Sequence, residues 1–241
     1  MRKGVSHLRV KRNVGKGNKS AAGSVAVLFS AALFVSAVSS ARSVSVETIV
    51  ENVSKRYDEL NDFSAGLWLI TTSAYIEQET VYKGRLYSRK PNRFRIEYYY
   101  PSDQTVVFDG STLYFHTPAT NQVVVYPVEG ITGDETVESV FETAETRYDF
   151  EDAGEVTLSG KYRTYKLKMT AKSPSATYPT VWVWVDAEEW IARRVDLHDY
   201  DGNVTSYRLF DFKFNQGYSA GKFSFKIPDG ADVIRAEELG F

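Results

Sequence analysis

The stretch KGRLYSRKPNRFRIEYYYPSDQTVVFDGSTLYFHTPATNQVVVY, residues 83–126, decides the fold. Its apolar residues recur with a period of two. In Phe94-Arg95-Ile96-Glu97-Tyr98, the residues Phe94, Ile96 and Tyr98 face one way while Arg95 and Glu97 face the other. That alternation is the signature of a half-buried β-strand. Turn residues cut the stretch at Pro91-Asn92, Asp109-Gly110 and Thr117-Pro118. Gly and Asn accept positive φ, so Asp109-Gly110 reads as a hairpin turn. Strands are predicted at Thr80–Ser88, Arg93–Tyr100, Thr105–Phe108, Thr112–His116 and Gln122–Tyr126.

The same period extends outward. Phe63–Thr72 precedes the stretch. Glu155–Leu158, Tyr162–Ala171, Thr180–Asp186, Ile191–Asp199, Val204–Asn215 and Lys222–Lys226 follow it, with Ser159-Gly160 and Asp201-Gly202-Asn203 as turns. About a dozen short, largely antiparallel strands at 8–12-residue spacing predict a highly curved sheet or barrel. In Tyr165–Met169 apolar and basic residues alternate, so one sheet face is wet. Val181-Trp182-Val183-Trp184-Val185 is apolar on both faces; it reads as a strand covered on both sides or as one whose Trp face lines a pocket.

Two segments carry a helical period instead. Val46, Ile49, Val50, Val53, Tyr57 and Leu60 recur at three- and four-residue steps behind Ser43 or Ser45 as a cap. Val137, Val140, Phe141 and Ala144 make a second stripe within Asp134–Glu145, which predicts a helical lid over one sheet face.

The charge of −2 over 241 residues averages two unlike pieces. Met1–Ala41 holds seven Lys/Arg and no acid, then an apolar centre at Val25–Val38, then Ser39-Ser40-Ala41. That order is a secretory signal peptide over residues 1–41, with an uncleaved anchor helix as the alternative. Residues 42–241 carry 22 basic and 31 acidic residues, net −9, and read as a single domain. Such a balance without a basic stripe argues against nucleic-acid binding.

Several chemistries are excluded. With no Cys there is no disulfide, thiolate zinc site or Cys nucleophile, and no lipid-modified N-terminal Cys. His116 and His198 lack metal-ligand spacing, so no metal site is expected. No G-x-S-x-G, P-loop or G-x-G-x-x-G occurs. Acidic stretches such as Glu142–Asp152 read as solvated faces rather than a carboxylate pair. An excess of apolar and aromatic strand surface over catalytic groups points to a protein that holds an apolar ligand within a curved sheet.

Residues 83–126 also resemble the LolA-type lipoprotein carriers, whose G-x-L-x-x-x-x-P-x-x-F-R-x-x-Y-x-x-P core, D-G hairpin and Q-V strand correspond to Gly84, Leu86, Pro91, Phe94, Arg95, Tyr98, Pro101, Asp109, Gly110, Gln122 and Val123. Phe223–Gly230 resembles the family's closing F-x-F-x-x-P-x-G. The resemblance implies a mainly β fold: an unclosed (half) antiparallel β-barrel with an N-terminal helix and a helical lid over an apolar cavity. It implies a periplasmic, monomeric, non-enzymatic carrier without a cofactor. Its partners would be acylated lipoproteins, an inner-membrane ABC-type release complex and, if present, an outer-membrane acceptor.

For the acyl-chain cavity the expected lining is Phe94, Ile96 and Leu86, with Trp68, Leu113, Phe115, Trp182 and Trp184 as further candidates. Parity is taken to turn Leu113 and Phe115 inward and Tyr114 outward. The family's lid-holding Arg corresponds to Lys90, whose point charge does not reproduce a planar fork; Arg89, Arg93 and Arg95 are its alternatives, against Val137, Val140 and Phe141 of the lid. Pro91, Asp109 and Gly110 are expected to be structural turn residues. Competing readings are a lipid- or lipoprotein-sensing regulator on the same half-barrel, an anchored acceptor of similar fold, which the missing Cys disfavours, and a secreted β-sandwich hydrolase. The end of the chain at Phe241, just after the closing motif, favours the carrier over a regulator with a second domain.

Overall fold

A computed structural model describes residues 44–76, 78–127 and 144–235. Helix α1 (Val46–Asp58) starts where Ser45 adopts an extended conformation and its Oγ accepts from the Thr48 N–H at 3.3 Å. Glu47 in the first turn and Lys55 and Arg56 in the last suit the helix dipole. Ile49 and Val53 are fully buried, each worth about 1.5–3 kcal/mol of transfer energy.

The sheet is built from β1 (Asp62–Thr72), β2 (Glu79–Arg89), β3 (Arg93–Tyr100), β4 (Gln104–Phe108), β5 (Thr112–Thr117), β6 (Gln122–Pro127), β7 (Tyr148–Leu158), β8 (Tyr162–Ala171), β9 (Thr180–Asp186), β10 (Ala192–His198), β11 (Val204–Phe214) and β12 (Asp232–Arg235). A single turn of helix, α2 (Ala144–Arg147), precedes β7. Among the described residues the strands form one unclosed sheet, ordered β12-β6-β5-β4-β3-β2-β1-β11-β10-β9-β8-β7. Two meanders, β1–β6 and β7–β11, meet at the antiparallel β1–β11 pair. Every pairing is antiparallel except β12–β6. The expected mainly β architecture with an N-terminal helix is present.

The helix lies on one face. Its Ile49, Val50, Val53 and Tyr57 join Phe63, Ala65 and Leu67 of β1, Leu86 of β2, Leu167 and Met169 of β8, and Val181, Val183 and Val185 of β9 in one core. Strand residues of this parity form the helix-bearing face; their neighbours form the outer face.

Two expectations are corrected and one lies outside the described residues. Lys222–Lys226 is not a strand: Ala220–Phe223 is a 3₁₀ turn, and Phe223 is fully buried. The alternation of Phe223 and Phe225 reflects anchoring of a strap, not ladder pairing. The strand predicted at Glu155–Leu158 begins seven residues earlier, because the acidic run Asp149–Asp152 forms an edge of the sheet where its charges stay solvated. Most of the Asp134–Glu145 lid lies outside the described residues.

The strap, residues 215–231, crosses the outer face. Buried Asp62 anchors its start: its carboxylate accepts from the N–H groups of Gln216 (2.7 Å), Gly217 (2.9 Å) and Tyr218 (3.3 Å). Tyr218 donates to Ser64 Oγ at 2.9 Å and packs edge-on against Tyr87. Phe225 stacks on Tyr114, and β12 then runs parallel to β6. Asp62→Asn replaces one accepting oxygen by a donor that faces those N–H groups. It is expected to cost about 1.5–3 kcal/mol and to raise hydrogen exchange at Gln216–Tyr218 before the core amides. Unchanged protection there would show that Asp62 does not hold the strap.

Candidate functional site

Beyond the helix, the helix-bearing face continues across β3–β6 as two apolar rungs. One runs Phe94–Phe108–Leu113–Tyr126, and the next runs Leu86–Ile96–Val106–Phe115–Val124. The Phe94 and Phe108 rings lie 5.7 Å apart, and those of Phe115 and Tyr126 5.5 Å. Strand spacing places such cross-strand neighbours in contact. Phe94, Ile96 and Leu113 are only half-buried, and Phe115 is 38% exposed. This surface is continuous with the core, yet less covered than a core should be.

Leu86, Phe94, Ile96, Leu113 and Phe115 thus share one surface. Trp68, Trp182 and Trp184 do not join it. Register sets Trp182 and Trp184 opposite to the buried Val181, Val183 and Val185, and Trp68 opposite to Leu67. On the outer face Lys166 Nζ lies 4.0 Å from the Trp182 ring, and the Arg194 guanidinium 4.4 Å from that of Trp184. Their role there is cation–π packing of a solvated sheet face. Of the two readings of Val181–Val185, the structure fits the strand covered on both sides, with Val181, Val183 and Val185 buried on one face and Trp184 buried on the other.

Val106, Phe108, Val124 and Tyr126 share the surface of the two rungs as well; the sequence reading did not single them out, although the alternation that identified Phe94 could have found them. Tyr98, Tyr82 and Tyr207 also point to the helix-bearing face, with the Tyr82 and Tyr98 rings 5.7 Å apart. Burial pushes the Tyr98 phenol well above its ordinary value, and Tyr207 and Tyr82 add to the shift. Tyr98 therefore stays a neutral donor at every physiological pH.

The four candidate lid cations part ways. Arg93 and Arg95 share the outer parity; Arg95 Nε donates to Glu97 at 2.7 Å, and Lys222 reaches the same oxygen at 3.2 Å. Burial alone would raise the Glu97 pKa, but these two cations lower it below the usual carboxylate range. Arg89 pairs in register with Asp62 and Arg93. Lys90 sits at the β2–β3 turn, where its N–H donates to the Asn61 carbonyl at 2.9 Å and its Nζ lies 3.7 Å from Asp58. Of the four, Lys90 alone is tied to the end of α1, beside a small cavity lined by Tyr57, Phe63 and Ser88. Val137, Val140 and Phe141 lie outside the described residues.

Pro91 stands in the turn before Arg93, and Gly110 has φ +104°. Asp109 Oδ1 accepts from the Ser111 N–H, the Ser111 hydroxyl and the Thr112 N–H, each at 2.9 Å. Burial opposes ionisation of Asp109, but these bonds and the Arg93 charge outweigh it and lower its pKa. These features are those of a turn. Among the described residues no group of His, Asp and Glu could hold a metal ion. His116 lies on the outer face against Phe225. No helix of the described residues is long and apolar enough to cross a membrane.

The two rungs form an apolar surface that can shelter an apolar ligand. The family profile described as Outer membrane lipoprotein carrier protein LolA matches residues 70–226. An outer-membrane lipoprotein carrier protein of Methylobacillus flagellatus is 24% identical over 188 residues, covering 77% of this chain and 88% of its own. Its counterpart from Chromohalobacter salexigens is 28% identical over 153 residues, covering 64% of this chain and 70% of its own. The crystal structure of an uncharacterized conserved protein from Thermus thermophilus has a TM-score of 0.54 at 19% identity, covering 80% of this chain and 99% of that one, and shows the shared fold. The profile spans well over half of the sequence, and the chain therefore belongs to the LolA family of outer membrane lipoprotein carrier proteins.

Proposed function

We propose that this chain is a periplasmic carrier. It takes acylated lipoproteins from an inner-membrane ABC-type release complex, shelters their acyl chains on the Phe94–Tyr126 face, and delivers them to the outer membrane. Residues 1–41 act as the export signal, and the carrier works as a monomer. Family membership supports a lipoprotein-binding carrier rather than an enzyme. The observation that carries the reading is the half-buried apolar surface of β3–β6, continuous with the core.

The physics suits it. An acyl chain gains about 0.8 kcal/mol per CH₂ removed from water, so a lipoprotein cannot cross an aqueous space unshielded. A carrier needs an apolar surface that a lid can cover and uncover, and transfer then needs only a downhill series of affinities. In this reading Lys90, which is tied to the end of α1 through Asp58 and Asn61, holds the lid.

The test is a mass spectrum of the protein purified from the periplasm, paired with release of lipoproteins from spheroplasts. Bound lipoprotein and stimulated release are expected. Protein that carries neither, and that binds no hydrophobic probe, ends the carrier reading. The facing of β5 is checked separately. Phe115→Ala removes lining and is expected to weaken binding of an acyl probe about fivefold to tenfold, roughly 1–1.4 kcal/mol. Tyr114→Ala, on the outer face against Phe225, is expected to leave it unchanged. Weakened binding by Tyr114→Ala with none by Phe115→Ala would reverse the assigned facing, and equal effects would remove Phe115 as a distinct lining residue.

A further inference from the structure

The outer face of β1–β4 and β11 holds a second hollow of about 630 Å³, on the side of the sheet away from α1. Two irregularities build it. At Lys83/Gly84 the β2–β3 register shifts, so that Tyr99 is the extra residue and Tyr100 aligns with Lys83. At Ser64/Gly66 the β1–β11 register shifts, with Asp211 at φ +49°. β-bulges of this kind re-aim side chains and recur beside binding sites. The floor requires Gly66: a Cβ there would lie 2.4 Å from the Phe210 ring.

Beside the hollow lies an exposed aromatic cluster, of which Tyr99 lines the hollow itself. Trp68 is 38% exposed, Tyr100 50% and Tyr99 59%. Trp68 meets Phe210 edge-on at 5.6 Å, and Lys83 Nζ sits 5.2 Å from both the Trp68 and Tyr100 rings. Exposed rings clustered beside a hollow are uncommon on a protein surface. Polar groups stand among them: Arg85, Glu97, Asp103 and Asp211 line the same space.

This mixture selects a ligand class. Carboxylates of Glu97, Asp103 and Asp211 beside Arg85 and Lys83 offer no field of one sign, which disfavours a strongly charged ligand. An acyl chain laid there would cover charged groups without pairing them, a cost of several kcal/mol. A sugar satisfies both halves of the lining. Its ring presents a C–H face to aromatic rings, and its hydroxyls donate to carboxylates and accept from a guanidinium. The volume falls within the roughly 300–1,000 Å³ of small-molecule sites.

We propose that this outer-face hollow is a saccharide-binding site, with Tyr99 as its stacking surface, the adjoining Tyr100 and Trp68 extending that surface beyond the hollow, and Asp103, Asp211 and Arg85 as hydroxyl partners. It is independent of the acyl-chain reading, because none of the residues that line it lies on the two apolar rungs of β3–β6. A carrier so equipped would dwell where glycan is displayed while its cargo face remains free.

The experiment titrates tri-N-acetylchitotriose and maltotriose into the full chain purified from cells, read by Trp fluorescence and by saturation-transfer NMR. At least one sugar is expected to bind saturably. Tyr99→Ala and Asp103→Ala, both at exposed positions whose loss should leave the circular dichroism unchanged, are each expected to weaken binding about tenfold. Tyr99→Ala should leave lipoprotein release as it is, and Phe94→Glu should leave sugar binding as it is. Failure of both sugars to bind overturns the proposal. So does sugar binding that Tyr99→Ala and Asp103→Ala leave intact, or that Phe94→Glu abolishes. A dodecyl chain that displaces the sugar overturns it as well, by making the hollow part of the cargo site.

Discussion

Phe94→Glu is expected to reduce lipoprotein transfer by more than about 100-fold, which corresponds to about 2.7 kcal/mol. Phe94 lies on the rung with Phe108, Leu113 and Tyr126, at the end of the face near the β2–β3 turn. A carboxylate there removes an aromatic ring from the ligand's path and sets a charge against methylenes. The lost contact alone is worth about 1.5–3 kcal/mol, and a charge under a bound acyl chain adds several more. The fold is expected to survive, because Phe94 is half-buried and the unliganded side chain can reach water. Circular dichroism and a thermal melt check that, and lipoprotein release from spheroplasts reads the function. Phe94→Leu, which keeps the surface apolar, is expected to retain most of the transfer. Undiminished transfer by a folded Phe94→Glu protein would remove Phe94 from the cargo surface.

Asp186→Ala is expected to be the most destabilising single change outside the apolar core. Asp186 is 4% exposed and accepts from the N–H groups of Glu188 and Glu189 and from Arg193 Nε at 2.6 Å. Arg193 in turn stacks on Tyr162 at 3.8 Å. Removing one member of a buried pair strands the other and costs about 3–5 kcal/mol. For a domain of this size that lowers Tm by about 6–20 °C. Burial works to raise the Asp186 pKa, but the backbone bonds from Glu189 and Glu188 and the Arg193 guanidinium prevail and lower it. Its contribution to stability is therefore fully present above the unfolded carboxylate value, about 3.9. It is lost as pH falls through the lower folded value. The wild type is expected to lose stability over that acid window more steeply than Asp186→Ala. Parallel pH profiles of the two melts would show that folding leaves the Asp186 pKa unshifted.

Alternation made the strands from Phe63 to Tyr126 legible, most plainly β2, whose later half alternates buried and half-buried residues. The Arg93–Tyr100 prediction matches β3 to the residue. The same rule breaks down where charge masks the alternation or where a strand has two buried faces. The start of β7 does alternate, with Tyr148 and Phe150 against the core and Asp149 and Glu151 exposed, but its three acids made it read as a solvated stretch rather than as a strand. β9 is apolar on both sides, so periodicity alone does not say whether Trp184 or Val183 meets the helix; only the register with β8 and β10 decides. Trp68 was misplaced for a related reason: a Trp on a wet face, sheltered by Lys83, looks in sequence like a lining residue. The cations near Pro91 were legible as a cluster, but their separate partners, Glu97 for Arg95 and Asp58 for Lys90, depend on contacts that strand parity and a turn create.

The seam between β1 and β11 has a consequence for the birth of the protein. Each meander can zip locally, but β1 needs a neighbour about 140 residues further along the chain, and Asp62 waits for Gln216–Tyr218. Contacts of such sequence separation form slowly and late. Until β11 has left the ribosome, α1 has only part of its bed and the domain cannot close its core. A chain so wired stays pliable throughout synthesis, the condition a polypeptide needs if it is to be threaded through a translocation channel before it folds.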